Sequence, residues 1–256
     1  MIGAIVGDII GSYYEFNPIK TKEFELFPPN SEFTDDTILT IAIAKSILDN
    51  EPYLNNIIDF AKRYPSSYGS HFLAWLKGEE HLPYNSWGNG SAMRVSPIGW
   101  AFDTKEKVLL EAKKSAQITH NHPEGIKGAQ ATALSIFMAR KGATKEEIRK
   151  EISNRFGYDL NRTVEKIRPY YKFEVSCQKS VPESIICFLD STSFEDCIRN
   201  AISLGGDADT MVAIAGGIAK AYYGIPDNIR KKTLSYLNDE FINIITQFEK
   251  NIWGNN

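Results

Sequence analysis

The sequence predicts an all-α protein folded as a single domain over residues 1–256. Three observations carry that expectation. Apolar residues recur at helical spacing through most of the chain, and no run alternates apolar and polar residues as a half-buried strand does. With 256 residues, 43% of them hydrophobic, the chain is long enough to bury one large core. No internal repeat, low-complexity segment or linker divides it.

Composition narrows the partners. The formal net charge is -3, so no basic excess advertises a general nucleic-acid surface. The N-terminus, Met1-Ile2-Gly3-Ala4-Ile5-Val6-Gly7-Asp8, lacks a basic region and meets Asp8 too early for a signal peptide. No apolar run reaches the roughly 18 residues that a membrane span needs. Cys177, Cys187 and Cys197 are odd in number and form no CxxC pair, which reads as reduced thiols in a cytoplasmic protein. Nothing in the sequence sets an oligomeric state.

Taken in order, residues 2–14 form an apolar helix with glycines at 3, 7 and 11, a spacing that lets another helix approach closely. Glu15 follows it. Residues 17–33, with Pro18, Pro28 and Pro29, form a long irregular loop, and loops of this length in a compact domain are often functional. Thr34-Asp35-Asp36-Thr37 opens a largely apolar helix through Leu48. Residues 54–63 and 70–77 are short helices about a turn at Pro65. His71 and His81 are isolated and read as ordinary structural or surface residues. Asn85-Ser86-Trp87-Gly88-Asn89-Gly90 leads into a helix over Ala92–Phe102, where backbone N–H groups can meet an anion, and Trp87 can stack on a base or ribose. Gly-Asn-Gly is also simply a turn.

Residues 104–117 form a lysine-rich amphipathic helix, and Pro123 starts another that runs to about Lys141. Between them lie His120 and His122. With no cysteine or third histidine near, this pair is not read as a zinc site, and a phosphate or hydroxyl contact from one imidazole fits better. Thr144 caps a charged helix to 156. Residues 169–182, bounded by Pro169 and Pro182, read as irregular or briefly extended. Helices resume over 183–189 and 193–203. Gly205-Gly206-Asp207-Ala208-Asp209-Thr210 then opens a buried small-residue helix from Met211. Pro226 starts the next helix, and the last covers about 239–252.

The two Asp motifs share one pattern, a hydroxyl and two carboxylates at the start of a buried helix. Capping accounts for one carboxylate at each start. Taken together, Asp35, Asp36, Asp207 and Asp209 with Thr34 and Thr210 have the hard oxygen donors of a two-metal site. If they converge, repulsion among the carboxylates is severe without cations.

Gly7-Asp8 with Gly11 and Glu15, Thr34-Asp35-Asp36-Thr37, Trp87-Gly88-Asn89-Gly90-Ser91-Ala92-Met93-Arg94, Thr119-His120 and Gly205-Gly206-Asp207-Ala208-Asp209-Thr210 together resemble the ADP-ribosylglycohydrolase family, in order and over almost the whole chain. The resemblance implies an orthogonal helical bundle with a central cleft holding two Mg²⁺ or Mn²⁺ ions. It implies Thr34, Asp35, Asp36, Asp207, Asp209 and Thr210 as metal ligands. It implies a diphosphate held by Ser86, Trp87, Gly88, Asn89, Gly90 and Ser91, with Glu15, Met93 and His120 among the substrate contacts. Many relatives carry a hydroxyl residue where Ala208 stands.

The implied reaction is hydrolysis of the glycosidic bond between ADP-ribose and an acceptor, through an oxocarbenium-like transition state. Metal ions orient the diol and lower the pKa of a water, and Asp36 or Glu15 activates or positions that water. Arginine, serine, a nucleic-acid base and an O-acetyl group are all admissible acceptors. Two other readings share these residues: a binuclear-metal phosphohydrolase acting on a small nucleotide conjugate, and a non-catalytic ADP-ribose-binding module.

Overall fold

A computed structural model describes residues 1–253. Its helices are α1 Ile2–Phe16, α2 Asp35–Asp49, α3 Tyr53–Arg63, α4 Ser70–Lys77, α5 Gly90–Met93, α6 Ser96–Ala101, α7 Lys105–Gln117, α8 Pro123–Arg140, α9 Lys145–Phe156, α10 Val164–Ile167, α11 Cys177–Leu189, α12 Phe194–Ile202, α13 Ala208–Tyr223, α14 Asp227–Leu234 and α15 Asp239–Trp253. Among the described residues there is no named strand, and Gly88 and Ser176 pair only as an isolated antiparallel bridge. The all-α expectation holds. No described helix is long and apolar enough to cross a membrane.

Two largely buried helices, α1 and α13, pack directly on one another, and glycines set their separation. A Cβ on Gly3 would lie 2.3 Å from the Gly216 carbonyl oxygen. One on Gly7 would lie 2.3 Å from that of Val212, and one on Gly11 2.5 Å from Asp209 Cα. Gly216 answers from the other side, where a Cβ would meet the Gly3 oxygen at 2.6 Å. The spacing read from the sequence as a close helix approach is thus a backbone-on-backbone contact. Around α13 pack α8, α11 and α12, while α2 lies against α1 with α3, α6 and α15 beyond it.

Three stretches differ from the sequence reading. The helix expected over Ala92–Phe102 is two short ones, because Pro97 has no N–H to bond the Met93 carbonyl. The Thr40 hydroxyl approaches that carbonyl instead, at 3.4 Å. Residues 169–182 are irregular only as far as the bridge at Ser176. From there α11 begins, with Pro182 inside it. Burial of Val181, Ile185, Ile186 and Phe188 outweighs the one backbone bond that the proline forgoes. The single turn α10, capped by the Thr163 hydroxyl, is too short to show a period in the sequence.

Gly7→Ala places a methyl against backbone that no rotamer change can move. It should lower unfolding free energy by about 3 kcal/mol. Gly69→Ala, with nothing within 4 Å of the added atom, should change it by less than about 0.5 kcal/mol. Urea unfolding of both variants checks the contrast.

Candidate metal centre

The site begins with Asp8, fully buried on α1. Its Oδ2 accepts from the Thr34 N–H at 2.9 Å, the Thr37 N–H at 3.1 Å and the Thr37 hydroxyl at 2.5 Å, and its Oδ1 accepts from the Thr34 hydroxyl at 2.7 Å. One carboxylate from α1 therefore holds the whole start of α2. Thr34 is itself the N-cap of α2, its Oγ1 accepting from the Asp36 N–H at 3.2 Å. With that end already capped, Asp35 and Asp36 have no capping task, and they project from the first turn.

The start of α13 meets α1 at the same place. Gly11 abuts the Asp209 backbone; Asp8 lies about one turn before it on α1 and Glu15 about one turn after. Asp209 is therefore shared by two carboxylate groups. Asp8, Asp36 and Asp209 each offer an oxygen, all within 4.8 Å of one another, and so do Glu15, Asp207 and Asp209. Asp207 occupies the N-cap position of α13 yet makes no side-chain cap bond. Its Oδ2 accepts instead from Asn89 Nδ2 at 2.7 Å. Thr210 donates from its hydroxyl to Asp36 Oδ2 at 3.2 Å, joining the two motifs directly. Asp35 belongs to neither triad but lines the same cleft.

Burial raises the pKa of every member. Asp8 rises to about 6 by desolvation, in spite of its hydrogen bonds to Thr37 and Thr34. Desolvation also raises Asp36 and Asp209, and neighbouring carboxylates add to it. Glu15, half-buried at the cleft, rises to about 8 through desolvation and then the charge of Asp209. Asp35 rises to about 8 for the same two reasons, in the same order. Asp36 Oδ1 is buried with no hydrogen-bond partner. Crowded hard oxygen donors with an orphaned carboxylate oxygen fit a divalent cation.

The cleft over this floor encloses about 310 Å³, within the range of small-ligand sites. Of the residues expected to bind substrate, Glu15, Ser86, Asn89, Gly90, Met93 and His120 line it. Gly88 sits behind them, its N–H on Ser86 Oγ at 3.1 Å. Ser91 is fully buried and donates to the Gly125 carbonyl at 2.7 Å. Trp87 points away, 52% exposed and edge-on to His122. The loop is pinned by the Gly88–Ser176 bridge: Asn89 N–H donates to Val175 and Cys177 N–H to Trp87, each at 2.8 Å. Sequence reasoning missed the roles of Asp8, Thr37 and Thr119. The signal for Asp8 was present: a charge in an otherwise apolar helix, seven residues before Glu15 and so on the same face.

A profile of the ADP-ribosylglycohydrolase family matches residues 1–253. The chain belongs to that family. Among relatives of this glycohydrolase, ADP-ribosylhydrolase ARH3 of Homo sapiens is 27% identical over 309 aligned residues, covering 88% of this chain and 84% of its own. ADP-ribosylarginine hydrolase Tri1 of Pseudomonas putida (strain GB-1) is 23% identical, covering 88% of this chain and 70% of its own. A solved structure described as an ADP-ribosylglycohydrolase-related protein complex superposes with a TM-score of 0.74 at 24% identity, over 96% of this chain and 94% of that one, which shows a shared fold. As an ADP-ribosylglycohydrolase, the protein is a hydrolase of ADP-ribose conjugates.

Carboxyls whose folded-state pKa is raised bind more protons folded than unfolded, so without cations the glycohydrolase loses stability as pH rises. The loss runs from the ordinary carboxyl range near about 4 through the folded values of about 6 for Asp8 and Asp207 and about 8 for Asp35 and Glu15. In EDTA the Tm should fall between about pH 5 and about pH 8. Saturating Mg²⁺ or Mn²⁺ should remove most of that fall, and Asp35→Asn should flatten it in EDTA. Thermal melts across pH check all three.

Proposed function

We propose that this glycohydrolase cleaves ADP-ribose from its acceptor with two divalent cations, Mg²⁺ or Mn²⁺, held by Thr34, Asp35, Asp36, Asp207, Asp209 and Thr210. The observation that carries the reading is the pair of carboxylate triads sharing Asp209 on the floor of the cleft. Bound there, the cations would supply Lewis-acid polarisation and orient the ribose hydroxyls beside the scissile C1″ bond.

The chain's own groups divide the remaining tasks. Asp8 is committed to Thr34 and Thr37, so it supports the α2 motif from behind. Asn89 fixes the orientation of Asp207. Asp36 is nearly buried, with Oδ2 on Thr210 and Oδ1 free, which suits a ligand better than a proton carrier. Glu15 is half-buried and lines the cleft, so we assign it the attacking water, which it orients and deprotonates. The Gly88 and Asn89 N–H groups are already used by Ser86 and Val175. Diphosphate contact therefore falls to the Ser86 hydroxyl, the backbone at Gly90 and His120. Trp87, exposed on the outer side of the loop, is placed to touch the acceptor or the adenine only at the rim. The three cysteines are all free and buried, which supports a reducing, cytoplasmic setting.

The test is product analysis on a panel of arginine-, serine-, nucleic-acid- and acetyl-linked ADP-ribose conjugates. Free ADP-ribose should appear from at least one of them, and only with Mg²⁺ or Mn²⁺. Released phosphate would point to a phosphohydrolase, and binding without product to a non-catalytic module. Glu15→Gln should lower kcat by at least about 100-fold while keeping the metal-dependent gain in Tm. Gly90→Ala adds a methyl 3.3 Å from His120 Nε2, so the imidazole must shift by a few tenths of an ångström to accept it. It should weaken ADP-ribose affinity in calorimetry without lowering Tm.

A further inference from the structure

Beside the carboxylate floor, the cleft wall holds a buried cation. Arg94 is 1% exposed and lines the cleft. Its hydrogen bonds go to neutral acceptors: a terminal nitrogen donates to the Ser115 carbonyl and to Thr119 Oγ1, both at 2.9 Å. Next to Thr119 is His120, with Nδ1 2.7 Å from the same hydroxyl oxygen.

Counting donors fixes the direction of this chain. A guanidinium only donates, so Thr119 Oγ1 accepts from Arg94. The Thr119 proton then needs an acceptor of its own, because the residue is fully buried and an unmade bond there is unfavourable. Were Nδ1 to carry the proton and donate to Thr119, the hydroxyl would accept twice and its own proton would face no acceptor. With Thr119 donating to Nδ1, the hydroxyl proton and the ring nitrogen each have a partner. Nδ1 then carries no proton, and the neutral ring carries it on Nε2. Burial, and after it the nearby Arg94 charge, hold the imidazole neutral by pushing its pKa well below the usual value.

Nε2 faces the glycine loop. A Cβ built on Gly88 would lie 3.5 Å from it and one on Gly90 3.3 Å. The absence of both side chains leaves this ring edge open on the cleft side. We propose that Arg94 and Thr119 are positioning residues which lock His120 as its Nε2–H tautomer, so that the imidazole presents one fixed, neutral donor beside the glycine loop to an anionic oxygen of a bound diphosphate. Such a donor does not titrate over the working pH range, and the charged guanidinium polarises the hydroxyl that holds it. The ligand half of this proposal rests on the ADP-ribose reading above; the relay itself does not.

The test is a long-range proton–nitrogen correlation spectrum of protein labelled with ¹⁵N-histidine, recorded on the free wild type. His120 is assigned by the signals missing in His120→Gln. The expected signature is an unprotonated Nδ1 and a protonated Nε2, unchanged from about pH 5 to about pH 8. A protonated Nδ1, or a ring that titrates in that range, overturns the relay without any further variant. In Thr119→Val the signature should be lost and the affinity for ADP-ribose should fall about tenfold. Thr119→Ser, which keeps the hydroxyl, should restore both. A Thr119→Val protein with the wild-type tautomer overturns the relay, and one with an altered tautomer but unchanged affinity overturns the donor role. Failure of the wild type to bind ADP-ribose overturns the functional reading, and the tautomer of the free protein still decides the relay.

Discussion

The contact between α1 and α13 at Gly11 and Asp209 is the constraint on which the rest of the site depends. With a Cβ at Gly11 only 2.5 Å from Asp209 Cα, the two backbones touch. The helical rise then places Asp8 on one side of Asp209 and Glu15 on the other. Two overlapping carboxylate groups follow from one close approach. A side chain larger than hydrogen at 7 or 11 would push α13 outward and separate the groups, however well the remaining core repacked. In this fold small residues are a requirement of the chemistry as much as of the packing.

That same approach creates an electrostatic liability. Asp8, Asp36, Asp207 and Asp209 are all at most 5% exposed, and buried ionised carboxylates are unfavourable unless paired. The protein offsets part of this with hydrogen bonds. Thr34 and Thr37 serve Asp8, Asn89 serves Asp207, and Thr210 serves Asp36. The positive ends of α2 and α13 add a little more. Asp36 Oδ1 remains without a partner. Stability and cation affinity are therefore two readings of one arrangement, since the repulsion that weakens the bare fold is relieved by whatever cation binds to it.

Much of this was legible in the sequence, and the exceptions have physical causes. The helical periods, the close-approach glycines and the paired hydroxyl-carboxylate starts of α2 and α13 are local patterns, and each appears in the structure. The convergence of Asp36 with Asp209 is a long-range event, so it could be expected only from the chemistry of the residues together. Asp8 escaped because its partners, Thr34 and Thr37, come from another element; alone it is a stray charge on an apolar helix. Ser91 illustrates the reverse error of scale. It belongs to the glycine-rich stretch, but the short turn of α5 rotates its hydroxyl onto Gly125 and away from the cleft. Pro182 reads as a helix boundary by local rule, and only the burial of α11 overrides it.

Asn89 ties these levels together. Its backbone N–H is fixed by Val175, so the loop's height above the cleft floor is set by the Gly88–Ser176 bridge. Its side chain is fixed by Asp207, so the same residue registers the loop against the carboxylates. A loop held at only one of these points could pivot. Held at both, it keeps Gly90 at a fixed height above the triads. A wall and a floor held in fixed register reduce the protein's own loss of conformational freedom when a ligand binds between them. The buried hydrogen bond that Asn89 Nδ2 donates to Asp207 thus joins the glycine loop and the carboxylate cluster into one site.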